Sequence, residues 1–462
     1  MRAKIVLDAT ELKIRNILLT FTKEYARQTG KQLTLRITGG WVRDKLLGRP
    51  SHDLDVAIDQ ATGEEFATAL QQWMAAQSDE KVASVHTIAR NPEKSKHLET
   101  ATTKIEGLDV DFVNLRSEVY TVDSRIPKVE FGTPEQDAFR RDATLNALFY
   151  NLDKDQVEDF TGKGLDDLEA GILRTPLDPS ETFHDDPLRV LRLIRFVAQL
   201  NFTLALETER AMTAPSIRDA LQTKVSRERV GVELKKLVAG MYAAQGARYI
   251  TRLGLAPAIF TLPEQYSPIT PNWTVLTSML DTADAVMPLI KFDYDKPHLW
   301  LAMLMSGMSH LTTVDNKKKV FPAPLIAVKE GIKLPTQVGN LVTKVLDSAE
   351  DLWLLSQQAA SSRLETGLLI RRIGAEWPLC VAYSAIKYNN PSSLNGLYDA
   401  VHAMGLQDAH LMKPLLDGKQ VSKLFPGRAG GPWLKEALDK AIEFQLENPN
   451  ATAEDLKTVL LE

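Results

Sequence analysis

Gly39 and Gly40 are followed by Arg43 and, ten residues later, by the pair Asp53 and Asp55. A Gly-Gly turn ahead of a helix lets backbone N–H groups come close to phosphate oxygens, and Arg43 adds a charged donor suited to a triphosphate. On an extended chain Asp53 and Asp55 project from one face, about 7 Å apart. Like charges gathered in this way call for a counter-charge. Magnesium supplies one: it takes hard oxygen ligands, and a metal pair can activate a hydroxyl while stabilising a leaving pyrophosphate in an in-line displacement. A third carboxylate can come from a later β-type run. Asp111 is the expected contributor there, although Asp109 lies on the same face and spacing does not separate the two. Taken singly, a Gly-Gly pair is most often a plain turn and an Asp-x-Asp a solvated face.

The elements that must position these residues can be read from hydrophobic spacing. Leu33, Leu35 and Ile37 alternate with polar residues and end at Gly39-Gly40, which predicts a strand entering a tight turn, with a short helix through Val42, Leu46 and Leu47 after it. Leu54, Val56 and Ile58 alternate again, placing both aspartates on the opposite face. A second strand pair is expected at about 97–105 and 109–115 around a turn at Gly107, and Ser124 to Ala138, with Pro127, Gly132 and Pro134, reads as an irregular loop. At Asp186-Pro187-Leu188-Arg189 an acidic residue precedes a proline at a helix start, and Val190, Leu191, Ile194 and Val197 continue at helical spacing. From about residue 205 helices and loops dominate, with breaks near Pro257, Pro271, Pro322-Pro324 and Pro391; Trp300 and Met303 are expected in a core.

Bulk properties narrow the class. A chain of 462 residues with 44% hydrophobic and 25% charged residues is expected to form two to four globular domains. No apolar run approaches the roughly 18 residues of a membrane span. The single cysteine, Cys380, excludes an internal disulfide and multi-thiolate metal sites. The first residues, with Asp8 and Glu11, make a poor signal or transit peptide. A net charge of −5 gives no global sign of nucleic-acid binding, so any RNA contact must use a local basic surface. The Lys317-Lys318-Lys319 run is one such place, read first as a solvated loop. His184-Asp185 is an HD doublet, but the other seven histidines show no metal-ligand spacing near it.

The run GGWVRDKLLGRPSHDLDVAI resembles the nucleotide and metal motif of the tRNA nucleotidyltransferases of the polymerase β superfamily, in the CCA-adding class shared by bacteria and eukaryotes. VDFVNLR, RRDATLNALFY, GLDDLEAGILRTPL, DDPLRVLRLIRF and SRERVGVELKKLV follow in family order over residues 33 to 238, with wording most like the fungal enzymes. LLDGKQVSKLF and GPWLKEALDKAIEFQLENP resemble the family's tail more weakly. The resemblance implies an α+β fold: a polymerase β-like head with a mixed sheet over residues 1–150, then all-α regions. These would be a neck for base recognition (151–250), a body (251–340) and a tRNA-binding tail (341–462).

The activity implied is template-independent addition of CCA to the 3′ end of tRNA from CTP and ATP, with Mg2+ as cofactor, by a monomer. The expected compartment is the cytoplasm, with nucleus and mitochondrion left open. By resemblance, Asp53 and Asp55 hold the metal, Gly39, Gly40 and Arg43 meet the triphosphate, and Arg141, Asp142 and Asn146 surround the incoming nucleotide. Arg192 and Arg195 match further nucleotide positions, and Arg125 and Glu130 match a flexible loop used in switching from C to A addition. Asp186 and Arg189 match the pair that serves as a protein template. Their chemistry fits independently: cytosine and adenine each present an amino donor beside a ring-nitrogen acceptor, which a carboxylate and a guanidinium complement. Three apart on one helix, the two would share a base edge. Each step of three lags the helix by about 60°, so Arg195 is expected to point away from Asp186, toward phosphate or tRNA. A poly(A) polymerase and a noncatalytic RNA-binding relative are the rival readings.

Overall fold

The computed structural model describes residues 4–51, 53–77, 86–88, 100–121, 124–358, 362–428 and 431–461, without the side chains of 86–88, 100 and 118–129. Among these residues the chain forms two compact units, Met1–Glu233 and Leu234–Glu462.

The first unit begins with α1 (Ala9–Thr29), started by a reciprocal capping box between Asp8 and Glu11 and ended by Gly30 in the left-handed region. Its buried stripe of Ile14, Leu18, Phe21 and Tyr25 has helical spacing. The strand–turn–helix expected from the glycines is β1 (Leu35–Thr38) followed by α2 (Gly40–Leu46). Buried Glu11 ties α2 to α1, accepting from Trp41 Nε1 at 3.2 Å and Lys45 Nζ at 2.6 Å. β2 (Leu54–Ile58) and α3 (Gly63–Gln77) come next. A Cβ on Gly63 would lie 2.2 Å from the Phe112 carbonyl, so only glycine lets this helix lie so close to the sheet.

The sheet continues with β3 (His86–Ile88), β4 (Thr100–Ile105) and β5 (Leu108–Asn114). Residues 97–99, expected in β4, lie outside the described residues. β6 (Arg116–Thr121) and β7 (Ser124–Phe131) form a separate antiparallel hairpin, followed by α4 (Pro134–Phe139). The stretch expected to be an irregular loop is therefore a strand and a short helix. Pro127 is accommodated because β7 belongs to a two-stranded hairpin whose register shifts between Val119 and Thr121. β8 (Leu148–Asn151) and β9 (Gln156–Asp159) complete the large sheet, so the head runs past the expected boundary at residue 150.

Strand order in this seven-stranded sheet is β3-β4-β5-β2-β1-β8-β9. Only β2 and β5 are parallel, which makes the sheet mixed, as expected. α5 (Gly164–Ala170), β10 (Ile172–Leu173), α6 (Pro179–Asp185), α7 (Leu188–Leu200) and β11 (Thr203–Leu204) follow, β10 pairing with β11. α8 (Leu206–Met212), α9 (Pro215–Thr223) and α10 (Arg227–Val238) come last, α10 spanning the division between the units.

Among the described residues of the second unit the secondary structure is helical apart from one short hairpin, β12 (Thr312–Val314) with β13 (Val320–Pro322). Trp300 and Met303 lie in its core with Leu280, Val345, Leu352 and Tyr383, as expected. Cys380 is buried. Among the described residues no helix is long and apolar enough to cross a membrane.

Candidate active site

β1 delivers the chain into a turn that only glycine adopts without strain. Gly39 has φ +75 and ψ −137, and a Cβ there would stand 3.4 Å from Arg141 Nη1 and 3.9 Å from Asp55 Oδ2. The turn thus gathers the backbone at the mouth of α2, a carboxylate from β2 and a guanidinium from the segment after α4. Asp53 immediately precedes β2, and Asp55 lies within it.

The parallel register of β2 and β5 places Asp55 opposite Asp111. Thr102 on β4 donates to Asp111 Oδ1 at 2.5 Å, fixing that carboxylate. Asp109 is exposed, with Lys104 Nζ 3.9 Å away. Asp111 is therefore the carboxylate brought to Asp55, a distinction the sequence left open. Burial pushes the Asp55 carboxyl up to about 6; Asp111 and Asp53 push the same way, and Arg141 opposes them. A cation placed here would relieve that repulsion. Among the described residues no group of three His, Cys, Asp or Glu side chains forms a ready-made metal cage.

Arg43 is buried and points inward, donating to Asp44 at 2.8 and 2.9 Å and to Asn146 Oδ1 at 2.8 Å. Asn146 donates to Asp142 Oδ1 at 3.0 Å, and Arg192 on α7 donates to Asp142 Oδ2 at 2.8 Å. Glu233 on α10 lies 3.6 Å from Arg192 and 3.0 Å from Arg195. Phe196 carries Arg43 and Arg195 over its ring, at 5.2 and 4.3 Å from the centroid. Six polar side chains, Arg43, Asn146, Asp142, Arg192, Glu233 and Arg195, thus form one continuous chain. Burial alone would raise the Asp142 carboxyl, but Arg192 and Asn146 hold it well below the usual carboxylate range. Arg195 is buried in this network, so it does not reach outward to phosphate as its helical phase suggested. The 60° lag is real, but it turns Arg195 toward α10, whose Glu233 makes the inward direction favourable.

Asp137 on α4 is buried and bracketed by Arg140 Nε at 2.9 Å and Arg141 Nη2 at 2.7 Å. Burial opposes its charge, yet the two guanidiniums hold its carboxyl at about 2. Arg141 also donates to the Asn146 carbonyl at 3.2 Å. Asp137 thereby aims Arg141 at the turn beside Asp55.

Asp186 and Arg189 do not share a helix. Asp186 is extended, at φ −137 and ψ 97, between α6 and α7, because a proline restricts the residue before it to extended conformations. Arg189 lies in the first turn of α7. The Asp186 carboxylate accepts from Arg229 at 2.7 Å and from the Leu188 amide at 3.2 Å. Arg189 donates to the Arg140 carbonyl at 2.7 Å and the Thr182 carbonyl at 3.5 Å. Of the matched loop pair, Glu130 is exposed on β7, and the Arg125 side chain lies outside the described residues. His184 has Ser180 O 2.7 Å from Nδ1 and Ser216 Oγ 3.4 Å from Nε2, which is hydrogen bonding to protein oxygens.

Sequence reasoning missed Arg229, Glu233 and Asp137. Arg229 and Glu233 are four apart on α10, a spacing that reads as an intrahelical ion pair. Instead Arg229 reaches Asp186 and Glu233 reaches α7.

A mixed sheet carrying a glycine turn and paired strand carboxylates defines a nucleotidyltransferase head, and residues 35–174 match the poly A polymerase head domain family. The chain as a whole is 40% identical to a mitochondrial CCA tRNA nucleotidyltransferase of Saccharomyces cerevisiae, over 99% of this chain and 93% of that protein. It is 35% identical to a tRNA nucleotidyltransferase of Schizosaccharomyces pombe, over 99% and 96%. The fold matches the crystal structure of a CCA-adding enzyme of Bacillus stearothermophilus in complex with CTP, with a TM-score of 0.67 over 98% of both chains at 20% identity. The chain belongs to the CCA tRNA nucleotidyltransferases.

Proposed function

We propose that this chain adds C, C and A to the 3′ end of tRNA from CTP and ATP, using Asp53, Asp55 and Asp111 as its catalytic carboxylates. Support comes from family membership together with one observation: the register that sets Asp55 against Asp111 beside the Gly39 turn and Arg141. Mg2+ is the counter-ion this donor set fits, held by Asp53 and Asp55, and when bound it supplies Lewis-acid stabilisation of the charge that develops on the transferred phosphoryl group.

The remaining roles belong to the protein. Gly39 and Gly40 let the backbone at the start of α2 face phosphate oxygens. Arg141, aimed by Asp137, brings a guanidinium to the same place. Arg43, Asn146, Asp142 and Arg192 act as a rigid polar wall beside the nucleotide, with Arg195 and Glu233 bracing it from behind. Asp186 and Arg189 select the base: a carboxylate offers about four lone-pair sites, and the bonds from Arg229 and Leu188 fix its orientation while leaving acceptor capacity for an exocyclic amino group. Arg189 must turn from, or share, its two carbonyl partners to donate to a ring nitrogen. Uracil and guanine would set a carbonyl against Asp186 and an N–H against Arg189, leaving both unpaired. Glu130 and Arg125, on the β6–β7 hairpin, belong to the switch from C to A.

We divide the chain functionally into head, neck, body and tail at about residues 160, 250 and 340, the helical second half gripping tRNA. A monomer working in the cytoplasm, or in the nucleus or mitochondrion, fits this reading, the S. cerevisiae relative being named as mitochondrial.

The test supplies magnesium, a tRNA lacking its last three nucleotides, each NTP alone and CTP with ATP, and sequences the products beside an Asp53→Ala control. Ordered C, C, A addition lost in the control is the expected outcome. Long A tails would mean a poly(A) polymerase, a stop at CC a defective switch, and no addition a binding protein.

A further inference from the structure

Lys317, Lys318 and Lys319, set aside above as a solvated loop, form the tip of the β12–β13 hairpin. The pairing Thr312↔Pro322, Thr313↔Phe321 and Val314↔Val320 brings the strands to a five-residue turn. Asp315 builds that turn: its carboxylate accepts from the Lys317 amide at 2.8 Å and the Lys319 amide at 2.9 Å, while Lys318 adopts φ +62. A third extended segment braces the base, where Ser267 Oγ accepts from the Val314 amide at 2.9 Å and Thr313 Oγ1 donates to the Ser267 carbonyl at 2.8 Å. The hairpin is a stiff projection rather than a slack loop.

The charge on this projection is unspent. All three lysines are exposed, and none is in an ion pair among the described residues. The nearest carboxylate in sequence, Asp315, is turned onto the backbone. Lys319 Nζ lies 5.0 Å from the centroid of Phe321, which meets Tyr266 edge-on at 6.0 Å, both rings half-buried. Three neighbouring cations in a chain of net charge −5, held by a fixed turn with aromatic surface at its base, match a polyanion of regular charge spacing.

We propose that the Lys317–Lys319 tip contacts the sugar–phosphate backbone of the RNA substrate. This rests on the tRNA reading above. Membrane lipid fits less well, since Val320 is the only large apolar side chain of the hairpin that is exposed.

The test compares the full chain with Lys317→Gln/Lys318→Gln/Lys319→Gln and with the corresponding triple arginine variant. Affinity for tRNA lacking CCA is measured by fluorescence anisotropy from 50 to 300 mM KCl, with KM and kcat for nucleotide addition alongside. The glutamine variant should bind on the order of tenfold more weakly near 100 mM salt. Its slope of log K against log salt should be shallower by about 2 to 3, as for the loss of up to three phosphate contacts, with KM raised and kcat at saturating tRNA unchanged. Arginine should restore the wild-type slope, which a merely structural role for the lysines would not produce. An unchanged slope in a chain that extends tRNA normally overturns the tip proposal and leaves the activity standing. Loss of binding to phosphatidylserine vesicles with tRNA binding intact overturns it in favour of a lipid contact. A wild-type chain that neither binds nor extends tRNA overturns both readings.

Discussion

On the neighbouring strands β2 and β5, Asp55 stands opposite Asp111 with Asp53 just ahead of it, and burial, Asp111 and Asp53 together push the Asp55 carboxyl up to about 6. A short way along the chain, Asp137, Asp142, Asp186 and Glu233 each meet an arginine, and the Asp137 carboxyl is held at about 2. The two sets differ in what completes them. Arginine-paired carboxylates are finished by the protein and give the site its shape. On the proposed reading the strand carboxylates are completed from outside by a metal ion, and the guanidinium that acts on Asp55 is that of Arg141. A cluster that costs stability without a ligand and gains it with one is the expected signature of a metal-binding edge.

The largest effect should come from the unfinished set. Asp55→Asn removes a charge that burial, Asp111 and Asp53 all oppose, so the metal-free variant should melt no lower than wild type. Nucleotide addition should nevertheless fall by about a thousandfold or more, equivalent to roughly 4 kcal/mol of transition-state stabilisation. Added Mg2+ should raise the wild-type Tm and leave the variant's unmoved. A variant that melts well below wild type without metal would show that Asp55 is structural, and the contrast would collapse.

The finished set should respond the other way. Asp142→Ala leaves Arg192 with only the longer Glu233 contact at 3.6 Å and removes the acceptor that holds Asn146, so denaturant unfolding should show a loss on the order of 3 kcal/mol, with no dependence on magnesium. Adding Arg192→Met should recover part of that loss, because the cation that has lost its nearest carboxylate is gone. A cost under about 1 kcal/mol for the single change would mean that the network is a surface pair in effect and does not brace the site.

How far the sequence reveals these two sets follows from how local each is. The strand–turn–helix and the Asp53/Asp55 alternation are written in adjacent residues, so the carboxylate edge was legible. The choice of Asp111 over Asp109 needed the β2–β5 register, which no single strand encodes. The arginine network was mostly illegible, because partners such as Arg192 with Asp142 and Arg229 with Asp186 lie 50 and 43 residues apart along the chain. Helical phase placed Arg195 correctly around α7, but phase does not say whether a face meets solvent or α10. Two departures had local causes that could have been read. Pro187 forces Asp186 out of the helix, and Pro127 masked a strand that a two-stranded hairpin with a register shift tolerates. The helical second unit was legible in class because its apolar spacing is strong, yet the β12–β13 hairpin is too short to leave a pattern.

The smallest effect probes the same contrast through pH. Asp137 has a folded pKa of about 2, below its ordinary 3.8, so its interactions stabilise the fold fully above about pH 4. As pH falls from 4 to 2 the unfolded chain takes up this proton more readily than the folded one, and stability is lost. The shift corresponds to about 2 kcal/mol. Asp137→Asn should therefore be less stable than wild type at pH 7, and the gap should narrow steadily toward pH 2 in denaturant unfolding series. Because Asp137 aims Arg141 at the Gly39 turn, the variant should also raise KM for both CTP and ATP at pH 7. A gap that stays constant from pH 7 to pH 2 would mean that Asp137 contributes shape rather than charge. The electrostatic distinction between the two carboxylate sets would then rest on Asp142, Asp186 and Glu233.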